Sequence, residues 1–399
     1  MTRLAFLSLW LLVFTIPWQN ALVVEAFGTI ARLVGVLAFG LTILSVIADG
    51  KIRPLSVIQM LIMLFLVWAV LTSAWTISPV SSESRVPTYV QLLLMVWMIW
   101  QLTSTPERQR SIVKAFVLGT TVSAIVIIWN RFAGGVALDA GRYQAAGMAT
   151  NELGYMFALG LAMCCYLAAT EQRAWMFWFY ASLLGAFQVG VLLTGSRGAT
   201  VASAVAWLFL PWVFVRLKVY KKGAAVALLA GLVTAALAIV PPTTWQRLGE
   251  TGTEIQTGSF SRRGPIWQAG WEVFQNNPIA GIGAGAFNAS VAGKLVGATA
   301  PHNVFLAVGV EMGLVGLALL AGLLLCLFLG CRQLPRFERR LALILMMTWG
   351  MASMASNCEY KKETWLVFGL LSVQVGNRLR MGMEVRRSSA TIDEKGFAY

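Results

Sequence analysis

The chain has one histidine among its 399 residues, His302, set in Pro301-His302-Asn303 where a long arginine-bearing loop runs back into an apolar segment. A neutral imidazole is the side chain best matched to accepting a proton near pH 7. A lone histidine serves as readily as a hydrogen-bonded structural group, so its surroundings decide the reading. Arg262 and Arg263 stand at the head of a helical pattern, Arg197 lies in the short turn Thr194-Gly195-Ser196-Arg197-Gly198, and Arg142 follows Gly141 in a longer loop. Two guanidiniums at a helix start converge with unpaired N–H groups and the positive end of the helix dipole, an arrangement suited to a diphosphate. Contact with lipid phosphates is the plainer alternative, but it leaves the clustering with His302 without a reason.

Metal chemistry has little to stand on in the sequence. Cys164, Cys165, Cys326, Cys331 and Cys358 lie within or at the ends of apolar runs with no CxxC spacing, and they read as small buried hydrophobes. One histidine cannot build the usual zinc site. Glu83, Asp139, Glu152, Glu250, Glu254 and Glu359 offer carboxylates but no DxD-like pair for magnesium. A P-loop, a GxGxxG after a strand and a GxSxG elbow are all missing, so nucleotide hydrolysis and serine-hydrolase chemistry lack a basis. The expectation is a metal-free reaction without cofactor.

The elements that must position these residues are membrane helices. With 58% hydrophobic and 12% charged residues the chain departs from a soluble globule, in which about a quarter of residues are charged. About twelve apolar runs approach the length that crosses a hydrocarbon core. They cover residues 5–20, 28–48, 57–74, 88–103, 112–131, 151–170, 175–194, 199–216, 223–241, 303–330, 341–357 and 363–378. Lipid offers the backbone no hydrogen bonds, so each must be helical and the fold all-α, a polytopic bundle.

Basic residues in alternate loops, from Arg3 through the 216–222 and 332–340 clusters to the tail after Arg378, mark one side as cytoplasmic, with both termini on it. The opposite loops, including the long one at 242–302, then face outward. Met1-Thr2-Arg3 and the run that follows lack an Ala-x-Ala-like site and read as a retained first span. Residues 1–380 form one transmembrane domain, without internal repeat, and 381–399 a cytoplasmic tail expected to be disordered. The net charge of +14 is spread over short loops instead of one aromatic-interleaved groove, so it points to anionic lipid and not to nucleic acid.

Arg32, Arg85, Arg142, Arg197, Arg247, Arg262 and Arg263 break the pattern by falling on the outer side, which implies an anion there. Within the long loop, Ile266, Trp267, Gly270, Trp271 and Phe274 share one face at helical spacing between the Gly258-to-Ser261 caps and Asn276-Asn277-Pro278. This predicts an amphipathic helix lying at the headgroups. Gly281-Ile282-Gly283-Ala284-Gly285 reads as a tight turn. Gly309, Gly313 and Gly316 in the 303–330 run read as helix-packing positions, and Glu311 beside them calls for a buried arginine, with Arg32 the choice by depth.

Taken in order, the Ser196-Arg197-Gly198 turn, Arg263-x-x-x-Trp267, Pro278-x-x-Gly281-x-Gly283, Pro301-His302-Asn303 and Glu311-x-Gly313-x-x-Gly316 resemble the O-antigen ligase and polymerase superfamily over residues 194–320. The resemblance implies an enzyme of the bacterial inner membrane that works on the periplasmic side, without nucleotide or metal, on an undecaprenyl-diphosphate-linked glycan. Span number and length resemble the ligases, which join that glycan to lipid A–core in lipopolysaccharide biosynthesis. On this reading His302 is the catalytic base of an inverting glycosyl transfer, or else a group orienting donor or acceptor. Arg142, Arg197, Arg262 and Arg263 bind the diphosphate. Membrane lipids are its further partners. The alternatives are an O-antigen polymerase, which extends the polyprenyl-linked glycan, and a lipid-linked glycan transporter. A transporter would spread polar residues through its spans, whereas here ionisable residues gather at one face.

Overall fold

All the apolar runs expected to span are helical in the computed structural model, which describes residues 1–24, 28–134, 141–250, 263–295 and 300–396, with only the backbone for Tyr220, Ala224 and 381–396. In chain order the helices are α1 (Thr2–Thr15), α2 (Ile30–Asp49), α3 (Val57–Leu71), α4 (Pro79–Leu102), α5 (Pro106–Phe132), α6 (Thr150–Thr170), α7 (Ala174–Leu193), α8 (Arg197–Trp207), α9 (Leu210–Arg216) and α10 (Val219–Ile239). The long loop holds α11 (Pro242–Gly249), α12 (Gly264–Asn276) and α13 (Phe287–Val291), and the bundle closes with α14 (Val304–Cys331), α15 (Arg336–Ser353) and α16 (Lys362–Gly396). Strand is confined, among the described residues, to the pairing of Val23–Val24 with Gly28–Thr29. The chain is a polytopic helical membrane protein.

Among the described residues eight helical segments are long and apolar enough to cross a membrane. The helices over four other expected spans fall short for visible reasons. The first, from Thr2 to Trp18, is short, and α4, α15 and α16 begin with charged residues such as Arg85, Arg336, Arg339, Lys362 and Glu363. The expected span at 199–216 is two helices, because Pro211 at the start of α9 has no N–H to continue the ladder. The tail expected to be disordered carries on as α16 to Gly396, through residues such as Met, Glu, Arg and Lys that favour helix. Helix α6 stands at the centre, 83% of its apolar window buried between α5, α7, α8 and α15, whereas α10 lies at the periphery with 6% buried.

The expected continuous span at 303–330 is broken. Gly313 sits at φ 67°, ψ −165° inside α14, so the amides of Leu314 and Val315 point away from the carbonyls of Val310 and Glu311. Lipid cannot satisfy such groups. The segment 278–283 does so instead. Ile282 N donates to Val310 O and Gly283 N to Glu311 O, both at 3.0 Å, while Leu314 N and Val315 N donate to Pro278 O and Ile279 O at 2.7 and 3.2 Å. The indole of Trp68 on α3 donates to Met312 O at 3.0 Å. The glycine-rich stretch is thus a backbone partner for a discontinuous helix as well as a turn. Gly313 is the break itself, not a packing notch as its spacing suggests.

A Cβ at Gly313 would lie 2.2 Å from Ile279 O, at a backbone angle that L-residues avoid. Gly313→Ala is expected to cost about 2 kcal/mol or more. Gly322→Ala, with nothing within 4 Å, should stay within about 0.5 kcal/mol. Thermal unfolding of both variants in detergent measures the difference.

Candidate active site

His302 is held from both sides. Before it, Pro301 O accepts a 2.9 Å hydrogen bond from the indole of Trp267 on α12. After it, Asn303 caps α14, its Oδ1 accepting from Leu306 N at 3.1 Å, and its amide reaches Met354 Sδ at 3.9 Å. His302 itself has φ 48°, a left-handed conformation that costs a non-glycine residue about 1 kcal/mol or more and persists where neighbours fix it. The imidazole is half-buried. Burial, and then the positive charge of Arg263, push its pKa from 6.5 down to about 4, so it is neutral at pH 7 with a nitrogen lone pair to offer. Unfolded, the ring takes its proton near 6.5, and folded only near 4. Stability contributed by the neutral ring is therefore complete above pH 6.5 and lost as the pH falls toward 4.

Helix α12 realises the expected amphipathic element, bounded by Arg263 and Asn277. The hydroxyl caps expected at 258–261 lie outside the described residues, as does Arg262. The apolar face packs on protein more than the sequence suggests. Ala269 and Gly270 are buried, and Ile266, Val273 and Phe274 pack with Phe287 of α13 and with Leu306 and Val310 of α14. Trp271 faces outward, 54% exposed. Arg263 accepts from Trp267 N through its carbonyl at 2.9 Å, which fixes it at the start of the helix and within electrostatic reach of His302.

Arg197 opens α8 immediately after the cap Ser196, whose hydroxyl accepts from Ala199 N at 3.4 Å. Arg142 wraps the same turn, donating from Nε to Thr194 O at 3.1 Å, from Nη2 to Asn151 Oδ1 at 3.1 Å, and to the Thr150 hydroxyl. The 354–361 segment joins the two halves. Gly198, beside Arg197, lies so close to Ala355 that a Cβ would meet its methyl carbon at 2.4 Å, and Asn303, beside His302, touches Met354. The Arg197 turn, which Arg142 holds, and the residue after His302 therefore both border this segment, at the neighbouring positions Ala355 and Met354.

Behind it stands a set of charges that sequence patterning did not assemble. The Arg85 guanidinium lies 3.4 Å from the centre of the Tyr360 ring and acts electrostatically on Tyr89, Glu311 and Glu359. Glu311 accepts from Phe287 N at 3.3 Å. Its cationic neighbour is Arg85, not Arg32; Arg32 lies instead near Lys362. Burial, followed by the negative charge of Glu311, raises Glu359 to about 8, so it is largely protonated at neutral pH. Lys361 pairs with Glu152 on α6, next to the Asn151 that Arg142 holds. The one sequence signal was Arg85's position on the unexpected side; which acids meet it depends on helix packing. Among the described residues no group of three or more His, Cys, Asp or Glu is placed to hold a metal ion.

Residues 180–321 match the family model described as O-antigen ligase. The match covers about a third of the chain and supports membership in the O-antigen ligase and polymerase superfamily. No curated protein matches it. The stretch that matches this superfamily contains Arg197, Arg263, His302 and the break at Gly313, whereas Arg85, Arg142 and the 354–361 segment lie outside it. Members of the superfamily are glycosyltransferase-like enzymes of O-antigen processing.

The sole histidine gives a single set of imidazole resonances, so titration followed by nuclear magnetic resonance reads it directly. Its midpoint is expected near pH 4, moving upward in Arg263→Gln, and a midpoint at 6.5 in the wild type would contradict the burial argument. In the rear cluster, Arg85→Met leaves buried carboxyls without their cation and should destabilise by about 3–5 kcal/mol. Adding Glu311→Gln to that variant should return part of the loss, as a double-mutant unfolding cycle would show.

Proposed function

We propose that the chain is a metal-independent, inverting glycosyltransferase that ligates a glycan from undecaprenyl diphosphate onto lipid A–core, at the periplasmic face of the bacterial inner membrane. The observation that carries this is the neutral, backbone-fixed His302 within electrostatic reach of Arg263, with the residue after it and the Arg197 turn both against the 354–355 positions. About twelve crossings, with both termini cytoplasmic, would place that face in the periplasm, with 242–302 as its catalytic loop.

In the reaction the acceptor sugar hydroxyl attacks the donor's anomeric carbon as the bond to the diphosphate oxygen breaks. The proton passes from the hydroxyl to an imidazole nitrogen of His302, and the electron pair leaves with the diphosphate. Arg142, Arg197, Arg262 and Arg263 take up the leaving group's negative charge. An imidazole with a pKa near 4 is a weak base in the free protein. Diphosphate beside Arg263 offsets the charge that depresses it, so the base strengthens when the donor arrives. Attack opposite the leaving group inverts the anomeric centre.

The test is transfer in vitro with purified protein, polyprenyl-diphosphate glycan and lipid A–core in EDTA. Wild type is expected to form ligated product, and His302→Ala to lose about a hundredfold or more of the rate. Lengthening of the polyprenyl-linked glycan without transfer to lipid A–core would make the protein a polymerase instead, and failure of the wild type in EDTA alone would rule out the metal-free mechanism.

A further inference from the structure

The end of the bundle opposite His302 carries a second cationic site. Helix α14 runs from beside His302 to Cys331, and just past it Leu334 and Pro335 line an open cavity of about 470 Å³ between the start of α5, Tyr166 of α6, the start of α15 and residues 374–380 of α16. Arg110, Arg378 and Arg380 line it against a single carboxylate, Glu338. Arg110 pairs with Glu171 at 3.2 Å, yet its Nε is buried with no hydrogen-bond partner.

The cations here are crowded. Arg380 lies 5.5 Å from the centre of the Trp100 ring and donates to Pro54 O, and Arg53 lies 3.8 Å from the same ring. Burial, then the charge of Arg380, lower Arg53 to about 10. Two guanidiniums against one indole repel each other, and the arrangement is relieved by an anion nearby. The cavity wall, meanwhile, is apolar where Val113, Tyr166 and Leu341 form it. A free inorganic anion has no use for such a wall, whereas an amphipathic anion uses both parts.

We propose that this cavity binds an anionic phospholipid of the adjacent leaflet, its phosphate on Arg378, Arg380 and Arg110 and its glycerol and first acyl carbons on the apolar wall. Basic pockets between membrane helices recognise headgroups in this way, with about 1 kcal/mol, or roughly fivefold, per arginine near the surface. The site lies a full helix length from His302 and stands whatever reaction is catalysed there.

Native mass spectrometry of the full chain in detergent, titrated separately with phosphatidylglycerol, phosphatidylcholine and inorganic phosphate, tests it. Wild type is expected to bind phosphatidylglycerol at least about fivefold more tightly than phosphatidylcholine. Arg378→Gln/Arg380→Gln should weaken the anionic lipid about twentyfold. Should the double variant misfold through loss of the Pro54 contact, Arg378→Gln alone, at an exposed side chain, should weaken it about fivefold with an unchanged unfolding temperature. Arg336→Gln, exposed at the same end but outside the cavity, should change binding less than about twofold. Equal affinity for the two lipids, equal loss in Arg336→Gln, or inorganic phosphate binding as tightly as phosphatidylglycerol would each overturn the assignment.

Discussion

Backbone polarity in a medium without water is the constraint on which this molecule is built. An unbroken helix satisfies its own N–H and C=O groups, and a helix interrupted at Gly313 does not. The structure resolves this by folding 278–283 against the interruption, so that two amides of that segment and one indole take the stranded carbonyls, while two of its own carbonyls take the stranded amides. That seam also fixes everything attached to it. Ile282 O receives Ile77 N, Ala284 N donates to the Thr72 hydroxyl, and Ser82 donates to Ala284 O, which ties the long loop to α3 and α4. Helix α12, carrying Arg263 at its head, rides on the same assembly through Phe287 and Val310.

Charge is distributed with the same economy. Basic and acidic side chains that reach into the bundle near the site are grouped, Arg85 with Glu311 and Glu359, Lys361 with Glu152, so that their desolvation is shared. His302 is the exception, since its cationic neighbour opposes protonation instead of being balanced by it. On the proposed reading, a neutral ring beside a guanidinium separates two jobs that one protonated histidine would confuse, holding negative charge and accepting a proton.

Much of this was legible in the sequence, and the boundary of legibility is physical. Apolar runs of membrane length announced the helices, and the face formed by Ile266, Gly270 and Phe274 announced α12, because period and length are local properties. Residue type alone marked the head of α12 and His302 at the far end of the loop as candidates for chemistry, and the structure brings Arg263 within electrostatic reach of that histidine. The sequence could not show that Gly313 is a break, since a glycine that packs and a glycine that turns leave the same mark; the difference lies in Ile279 and Ile282, some thirty residues away. Nor could depth along a helix choose Arg85 over Arg32 as the neighbour of Glu311, because depth says nothing about which face of which helix is nearby. Pro211 is the local mark of the split between α8 and α9, set inside an otherwise continuous apolar run.

The interruption in α14 also has a mechanical side. The piece from Val304 to Met312 is bonded sideways to the loop at 282–283, and the longer piece from Leu314 to Cys331 is bonded to 278–279. Both pieces are thus clamped to one six-residue segment, 278–283, which splints the break instead of leaving it a free hinge. The outer piece, with His302 at its mouth and α12 against its flank, is therefore tied in depth and tilt to the membrane shaft beneath it, so a change in that shaft's inclination as bilayer thickness varies is carried through to the loop above.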